Sequence, residues 1–316
     1  MPQAPPIIVV TGPTATGKTP LAIELALRFE GEIINADSMQ VFRFMDIGTA
    51  KPSEQQRARV PHHQLDIVTP DIPYSAGRYA DEARASAARI HARGKSVFLV
   101  GGTGLYIRAF IDGLISGAAA DPELREQLEA EHEKALREDD PHRLHRRLET
   151  LDAAAAQRIH PNDARRVVRA LEIASQLGKP ASRVRDEHGF TDRPYRVLHL
   201  ALDLPREMLD QRIDARCQEM IESGLLQEMR ELQERGFGPE LRPMKAIGYR
   251  HMLPVAAGKD TLAHALPQMQ RDTRRFARRQ RTWLRTVPEA QWFDPTAPRA
   301  VFERVEAFLG ATACPR

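Results

Sequence analysis

The sequence predicts an α/β protein built on a parallel sheet, and three observations predict that class. Short aliphatic runs alternate with stretches of helical length between residues 6 and 106. The first run leads into a glycine-rich loop, and two later runs end in polar or glycine-containing turns. Strands that alternate with helices form parallel sheets, in which binding groups collect at the carboxyl ends of the strands. We therefore expect a functional site at that edge.

The elements of this core are predicted in order along the chain. The first strand is PIIVVTG at residues 6–12. A helix follows from Pro20 to Arg28, because proline is tolerated in a first helical turn. The further predicted elements are a strand at 32–38, a shorter strand candidate at 63–68, a helix at 74–95, and an apolar strand running into a glycine turn at 96–106.

The pattern changes after about residue 115. Residues 121–195 contain no strand-like run and are predicted to be helical, whereas residues 196–207 predict a returning strand and the start of a helix. The remainder, to about residue 309, is predicted to be mostly helical. The predicted domains are a core at 1–115 and 196–316 with C-terminal helices, and a helical insertion domain at 116–195.

Charge is distributed unevenly within the predicted insertion. Residues 121–150 hold ten acidic and six basic side chains, whereas residues 157–185 hold seven basic and two acidic ones. This reversal indicates an outer face and a face directed at a ligand, although the net charge of the whole chain is only +3.

Composition narrows the class of protein. The chain has 316 residues, 42% of them apolar, which is enough for one or two globular domains. Cys217 and Cys314 are too far apart for a metal spacing, so we expect a reducing cytoplasm. The sequence shows neither a membrane-spanning run nor a signal peptide. His62 and His63 lack a third metal ligand at a suitable spacing, and we interpret them as structural.

The segment GPTATGKT matches the phosphate-binding pattern G-x-x-x-x-G-K-[ST] between a predicted strand and a predicted helix. Its glycines let backbone N–H groups converge on phosphate oxygens. Lys18 can reach a terminal phosphate, and Thr19 can hold Mg²⁺. The predicted diphosphate-binding residues are Gly12, Pro13, Thr14, Ala15, Thr16, Gly17, Lys18 and Thr19.

Two further turns lie at strand ends near this loop. Asp37 follows the second strand, where it can serve as a general base or as a helix N-cap. Thr103 lies between glycines, where it can contact a ligand or simply belong to a tight turn. The strand SVFLV ends in Gly101 and not in an acid that would help to hold Mg²⁺. That argues against ordinary ATP hydrolysis without excluding nucleotide kinases.

A basic helix is predicted at residues 271–285, which hold seven arginines and one acid. At about 100° per residue, five of the arginines share an arc of roughly 80°, and Phe276, Ala277, Trp283 and Leu284 lie opposite. Such a stripe suits an extended polyanion, although a solvated helix with carboxylate partners or a membrane-surface helix would also show it. The stripe consists of Arg271, Arg274, Arg278, Arg281 and Arg285.

Taken together, these motifs resemble the bacterial tRNA dimethylallyltransferase (tRNA isopentenyltransferase, or IPP transferase) family. The similarity runs nearly end to end. It includes GPTATGKT, NADSMQVF, GTAKP, HHQLD, VGGTGLY, RIHPNDARRVVRALE, GLLQEM, KAIGYR and RRFARRQRTWLR, in that order. Thr16 and Phe42 depart from the family, which often has Ser and Tyr there, so a hydroxyl at position 42 is absent.

The resemblance implies a P-loop NTPase-like fold and a reaction. Dimethylallyl diphosphate would donate its prenyl group to N6 of the adenosine 3′-adjacent to the anticodon, in tRNAs reading codons that start with U, with Mg²⁺ assisting. Asp37 would accept the proton, Thr103 would contact the base or donor, and Lys18 and Arg216 would stabilise the leaving group. A cytoplasmic monomer that binds the anticodon stem-loop, and no membrane, is expected.

The resemblance also implies a set of tRNA contacts, because the adenosine must leave the loop stack to react. The helical insertion would close over the stem-loop, helped by its basic half around Arg158, Arg165, Arg166 and Arg169. The expected tRNA-binding residues are Asp37, Ser38, Met39, Gln40, Thr103, Arg125, Gln157, Arg158, Ile159, His160, Pro161, Lys245, Gly248, Tyr249, Arg250, Arg274, Arg278 and Arg281.

Two alternatives make different demands on the sequence. A P-loop small-molecule kinase would use Asp37 to deprotonate a hydroxyl group, but it does not need the arginine helix. An RNA-binding module without prenyl transfer would leave Asp37 and the Gly-Thr-Gly turn without a role.

Overall fold

This computed structural model describes residues 4–114, 121–188 and 193–310. The chain divides into two compact units. The core unit comprises Met1–Ile111 and Pro194–Arg316, and the insertion unit comprises Asp112–Arg193. Among the described residues, no helix is both long enough and apolar enough to cross a membrane.

A six-stranded sheet forms the centre of the core unit, and all of its strand pairs are parallel. Its order is β3-β2-β4-β1-β5-β6, so the phosphate-loop strand β1 lies between β4 and β5. The strands are β1 (Pro6–Thr11), β2 (Gly31–Asn35), β3 (His62–His63), β4 (Ser96–Val100), β5 (Arg196–Leu202) and β6 (Ala290–Phe293). The predicted parallel α/β class is confirmed.

One strand prediction is wrong, and one strand was not predicted. Residues 63–68 do not form a strand: β3 is only His62–His63, and Val68 makes an isolated bridge with Phe42. Gln64 and Asp66 have positive φ angles of 61° and 54°, which interrupt an extended chain. Strand β6 was not predicted, although the region in which it lies is mostly helical, as predicted.

The helices of the first half of the core flank this sheet. Helix α1 begins at Lys18, two residues before the predicted start, and Lys18 and Thr19 therefore lie in its first turn. The four helices are α1 (Lys18–Arg28), α2 (Glu54–Arg59), α3 (Ala76–Ala92) and α4 (Gly104–Asp112).

The described part of the insertion unit contains helices and no strand, as predicted. Leu128, Leu144, Leu148 and Leu171 contribute to a hydrophobic core that belongs to this unit alone. The helices are α5 (Pro122–Arg137), α6 (Arg143–Leu151), α7 (Ala153–Arg158), α8 (Ala164–Leu177) and α9 (Ala181–His188).

The chain then returns to the core through β5 and ends in further helices. These are α10 (Arg206–Glu222), α11 (Leu225–Glu234), a 3₁₀ helix (Arg242–Lys245), α12 (Tyr249–Ala256), α13 (Leu262–Leu284) and α14 (Arg299–Gly310).

Both faces of the sheet are buried, which explains the continuous aliphatic run of β1. Ile7 and Val9 pack in one cluster with residues of α3, α4 and α10 to α13. Ile8 and Val10 pack on the other face with residues of α1 and α14. The strand ends are therefore held between two packed layers, and this fixes the loops that follow β1, β2 and β4.

Candidate active site

The phosphate loop connects β1 to α1 in a conformation that glycine makes possible. Gly17 precedes α1 with φ 83°, and a Cβ on Gly12 would lie 2.5 Å from the carbonyl oxygen of Leu202. The hydroxyl of Thr16 is buried and donates to the Pro13 carbonyl at 2.9 Å. The loop therefore has a fixed shape at the N-terminus of α1, which favours anions.

Lys18 lies within this loop. Its Nζ donates to the carbonyl oxygens of Gly12 (3.0 Å) and Pro13 (2.8 Å). Burial and the nearby Arg216 guanidinium lower the pKa of Lys18 to about 7, although the Asp37 carboxylate acts in the opposite direction. Burial also lowers the pKa of Arg216. Two cationic groups are thus held in a poorly solvated place, where an anionic ligand would stabilise both.

Asp37 is held in a turn beyond the end of β2. Its Oδ1 accepts the backbone N–H of Met39 at 2.8 Å, and its own N–H donates to Asn35 Oδ1 at 3.2 Å. No helix begins at residues 37–40 in the described chain, so the N-cap alternative for Asp37 is wrong. Its second carboxylate oxygen has no hydrogen-bond partner among the described residues and is available to a ligand.

Thr103 joins the ends of β2 and β4. Its Oγ1 accepts the N–H of Ser38 at 3.0 Å and lies 3.3 Å from the Ser38 hydroxyl, and its N–H donates to the Ala36 carbonyl at 3.1 Å. A Cβ on Gly101 would come within 2.2 Å of that same carbonyl oxygen. Glycine is therefore required for the close approach that places Thr103 beside the Asp37 turn.

Gln280 on α13 is a site residue that sequence reasoning missed. Its Oε1 accepts the N–H of Thr14 at 2.9 Å, and its Nε2 donates to the Gly102 carbonyl at 3.1 Å. The buried amide thus ties the phosphate loop to the Gly-Thr-Gly turn. On the helical wheel Gln280 falls among the apolar residues opposite the arginines, and a polar residue on that apolar side was the signal that could have found it.

These groups line one cavity of about 1410 Å³ within the core unit. Lys18, Thr19, Asp37, Thr103 and Arg216 all contribute to its wall. The basic side chains on the wall number eight and the acidic ones five. The other predicted site residues that line it are Thr14, Ala15, Gly17, Ser38, Met39, Gln40, Lys245, Tyr249 and Arg250.

Comparisons with known proteins establish the family of this chain. The family model described as IPP transferase matches residues 40–287. The chain belongs to the IPP transferase family. A tRNA dimethylallyltransferase of Desulfatibacillum aliphaticivorans is 46% identical over 98% of this chain and 100% of that protein. The tRNA dimethylallyltransferase 2 of Geotalea uraniireducens is 48% identical over 91% of this chain and 92% of that protein.

Solved structures of the family have the same fold. The tRNA isopentenylpyrophosphate transferase of Bacillus halodurans is 36% identical, with a TM-score of 0.71 and 98% of each chain covered. A eukaryotic dimethylallyltransferase acting on tRNA is 31% identical, with a TM-score of 0.82, covering 97% of this chain and 79% of that one.

The arginine stripe of this family member requires a correction. Asp272 was the only acid near it in sequence, yet Arg274 pairs with Asp214, and Arg281 pairs with Asp203 at 2.6 Å. These two arginines hold α13 against the rest of the core unit. Because their charges are paired within the chain, unpaired charge no longer supports their assignment to tRNA binding. Arg271, Arg278 and Arg285 are exposed.

The stripe also lies away from the cavity. Phe276 and Gln280 line the cavity, and on the helical wheel they fall on the side of α13 opposite the stripe. Ala277 and Leu284 form the predicted buried seam, whereas Phe276 is 37% exposed and does not belong to it. Arg274, Arg278 and Arg281 are absent from the cavity wall among the described residues.

Two predicted tRNA-binding side chains support a loop. Gln40 donates its amide to the carbonyl oxygens of Thr49 (3.1 Å) and Ala50 (3.2 Å). The fully buried Tyr249 donates its hydroxyl to Glu228 at 2.7 Å, and burial raises its pKa well above the usual range. Tyr249 therefore has a structural role. Gly248 supplies the positive φ of 94° that starts α12, and it does not line the cavity.

The predicted contacts in the insertion belong to the other unit. Arg125 pairs with the fully buried Glu172 at 2.6 Å, which gives this arginine a structural partner. Arg158 lies 3.8 Å from Asp186. The remaining predicted contacts form the end of α7 and the following turn, where Gln157 and His160 are exposed and Ile159 and Pro161 are half-buried.

His62 and His63 have structural partners, in keeping with their interpretation. Nδ1 of His62 lies 2.7 Å from the Val60 carbonyl, and Nε2 of His63 lies 2.7 Å from Glu32. Among the described residues, no three His, Cys, Asp or Glu side chains cluster so that they could hold a metal ion.

Proposed function

We propose that this chain transfers a dimethylallyl group from dimethylallyl diphosphate to N6 of the adenosine next to the anticodon in tRNA. The chain matches proteins named tRNA dimethylallyltransferase over nearly their whole length. The observation that carries the proposal is the single cavity wall shared by the phosphate loop, Asp37, Thr103 and Arg216. The small-molecule kinase alternative is not favoured by these relatives.

Asp37 acts on the nucleophile. The N6 amine of adenine is a weak nucleophile because its lone pair is delocalised into the ring. As the N6–C1 bond forms, the free carboxylate oxygen of Asp37 accepts a proton from N6. Thr103 holds the Asp37 turn through Ser38 and offers a further polar contact to the base or the donor.

Lys18 and Arg216 act on the leaving group. The C1–O bond of the donor breaks, and diphosphate departs with the electron pair. Lys18, Arg216 and the loop N–H groups stabilise the charge that grows on that diphosphate. The transferred group is therefore the prenyl carbon chain, and no phosphoryl group moves.

Mg²⁺ is part of the proposal, with Thr19 as its protein ligand. The Thr19 side chain lines the cavity, and its hydroxyl has no hydrogen-bond partner among the described residues. One hydroxyl together with substrate phosphate oxygens and waters fits the preference of Mg²⁺. When bound, the ion would neutralise charge on the diphosphate.

The proposal is tested with purified protein, an anticodon stem-loop RNA, Mg²⁺ and dimethylallyl diphosphate labelled in its prenyl group. We expect label in the RNA that depends on all three additions. Absence of incorporation, together with turnover of ATP on a small hydroxyl compound, would favour the kinase.

Asp37→Asn tests the role of the carboxylate. We expect the single-turnover rate to fall by about 100-fold or more, because an amide cannot accept the N6 proton. The dissociation constant of the stem-loop should change little in a filter-binding measurement. Weakened binding at an unchanged single-turnover rate would show that Asp37 is a binding residue and not the base.

A further inference from the structure

Phe44 combines an unusual backbone with an exposed ring. Its φ angle is 68°, in the left-handed region that bulky residues rarely occupy. The side chain is 39% exposed and contributes to the wall of the cavity. Local strain of this kind is concentrated at functional sites, because the surrounding structure must maintain it.

The surrounding structure does hold this loop in place. Buried Glu228 on α11 accepts the backbone N–H groups of Asp46 (2.8 Å), Ile47 (2.7 Å) and Gly48 (3.1 Å). A Cβ on Gly48 would come within 2.5 Å of the Tyr249 ring, so the loop also packs closely on α12. The chain just after Phe44 is therefore fixed to two helices.

The Phe44 ring has two planar neighbours from the turn that follows α11. The Phe237 ring stacks at a centroid distance of 6.3 Å and an angle of 21°. The guanidinium of exposed Arg235 lies 4.4 Å from the Phe44 centroid. The Arg235 guanidinium therefore lies over the Phe44 ring. Because both side chains are exposed, the pair presents a planar surface with positive charge to solvent.

The chemistry of this surface matches an unstacked nucleobase. Bases that leave an RNA stack are bound on aromatic side chains and on arginine planes. Phe44 also contributes to the cavity wall, where basic side chains outnumber acidic ones and add attraction for a polyanion. A prenyl chain would need a dry pocket, whereas Phe44 and Arg235 are exposed.

We propose that Phe44 and Arg235 form a stacking surface for a base of the RNA loop other than the target adenosine. The inference rests on the proposed function. It assigns to these two residues a share of the affinity for RNA and none of the chemistry at N6 or at the diphosphate.

Phe44→Gly is the informative variant, because glycine adopts the positive φ without strain while removing the ring. We expect the dissociation constant of the anticodon stem-loop to rise roughly 10-fold, as when one stacked base no longer has its aromatic partner. KM for dimethylallyl diphosphate should not change. Tm should not fall, because the relief of backbone strain offsets the removal of the ring packing.

Matched variants separate stacking from bulk and from general charge. Phe44→Tyr should bind the stem-loop as tightly as the natural protein does, whereas Phe44→Leu should bind it more weakly. Arg235→Ala should weaken binding, whereas Arg230→Ala, an exposed arginine on α11, should not. Equal binding by the Leu and Phe forms would overturn the stacking surface.

A 2-aminopurine probe identifies the stacked base. It is placed in turn at the two loop positions flanking the target adenosine, and its fluorescence should be quenched by the natural protein at one position but not by Phe44→Gly. An abasic site at that position should weaken binding of the stem-loop to the natural protein and leave its binding to Phe44→Gly unchanged.

The outcomes distinguish this inference from the proposed function. If the natural protein binds and prenylates the stem-loop while Phe44→Gly binds it equally well, the stacking surface alone is overturned. If the natural protein transfers no prenyl group to the stem-loop, the proposed function is overturned.

Discussion

Lys18 and Arg216, as single residues, support the proposal that the phosphate loop binds a diphosphate. Both cations lie beside Asp37 in a poorly solvated place, and burial lowers the pKa of each of them. In this state Lys18 donates to two carbonyl oxygens of its own loop. A diphosphate would replace those carbonyls as partner and favour the charged ammonium.

This arrangement predicts proton uptake on binding. With a pKa of about 7, Lys18 in the free protein is mostly neutral at about pH 8 and mostly charged at about pH 6. A bound anion raises that pKa, so the contribution of Lys18 to affinity is fully present below pH 7 and is lost as the pH rises. Calorimetry with inorganic pyrophosphate in buffers of different ionisation enthalpy should therefore detect close to one proton taken up at about pH 8.

Lys18→Arg provides the control, because arginine stays charged over this range. It should take up about one proton fewer than the natural protein at about pH 8 and the same number at about pH 6. Equal uptake by both proteins at pH 8 would contradict the assignment to Lys18.

At the scale of elements, helix α13 separates two kinds of arginine that the sequence pattern could not distinguish. Arg274 and Arg281 pair with acids that lie 60 and 78 residues away in the chain. Arg271 and Arg278 are exposed. A helical wheel shows which residues share a face, but it does not show which distant carboxylate packs against that face.

The separation of roles predicts different effects on binding and on stability. The double variant Arg271→Ala with Arg278→Ala should reduce the slope of log Kd for tRNA against log salt concentration. The reduction should be about one for each phosphate that no longer has an arginine partner. Its Tm should not change. Arg281→Ala should reduce the free energy of unfolding by about 1–2 kcal/mol, since Asp203 and the Leu204 carbonyl lose their donor. An unchanged salt slope in the first variant would show that the exposed arginines do not meet phosphate.

The same limit explains what the sequence could and could not predict about the site. The phosphate loop, the Asp37 turn and Thr103 were predictable, because each is a local motif after an aliphatic strand. Gln280 and Glu228 were missed, because their partners lie 266 and 182 residues away in sequence. Strand β6 was missed because it has four residues and pairs with β5, nearly ninety residues earlier in the chain.

In the molecule as a whole, the described residues form three hydrophobic clusters, two on the faces of the core sheet and one in the insertion unit. The insertion unit has its own apolar cluster and its own buried acid, Glu172. That carboxylate accepts Arg125 and the N–H of Asp121 and pairs with Arg169. Arg125 and Arg169 keep partial access to water, whereas Glu172 has none.

Glu172→Ala should therefore destabilise one unit. We expect a loss of about 2–3 kcal/mol in the insertion, because Arg125, Arg169 and the Asp121 N–H lose a shared, fully buried acceptor. Hydrogen exchange should become faster within residues 121–188 and stay unchanged in β1 and β4. Glu187→Ala, which removes a surface partner of Lys179 and Arg183, should have little effect. Equal acceleration in β1 and β4 would show that the chain unfolds as a single unit.

In the proposed reaction, the phosphate loop binds a leaving group and the group transferred is the prenyl carbon chain. A double-label experiment tests it most directly, with dimethylallyl diphosphate carrying carbon-14 in the prenyl chain and phosphorus-32 in the diphosphate. After a single turnover on the stem-loop, we predict carbon-14 in the RNA and an equal amount of phosphorus-32 released as pyrophosphate. Phosphorus-32 in the RNA, or its release as orthophosphate without carbon-14 in the RNA, would show that the loop does not serve a prenyl leaving group.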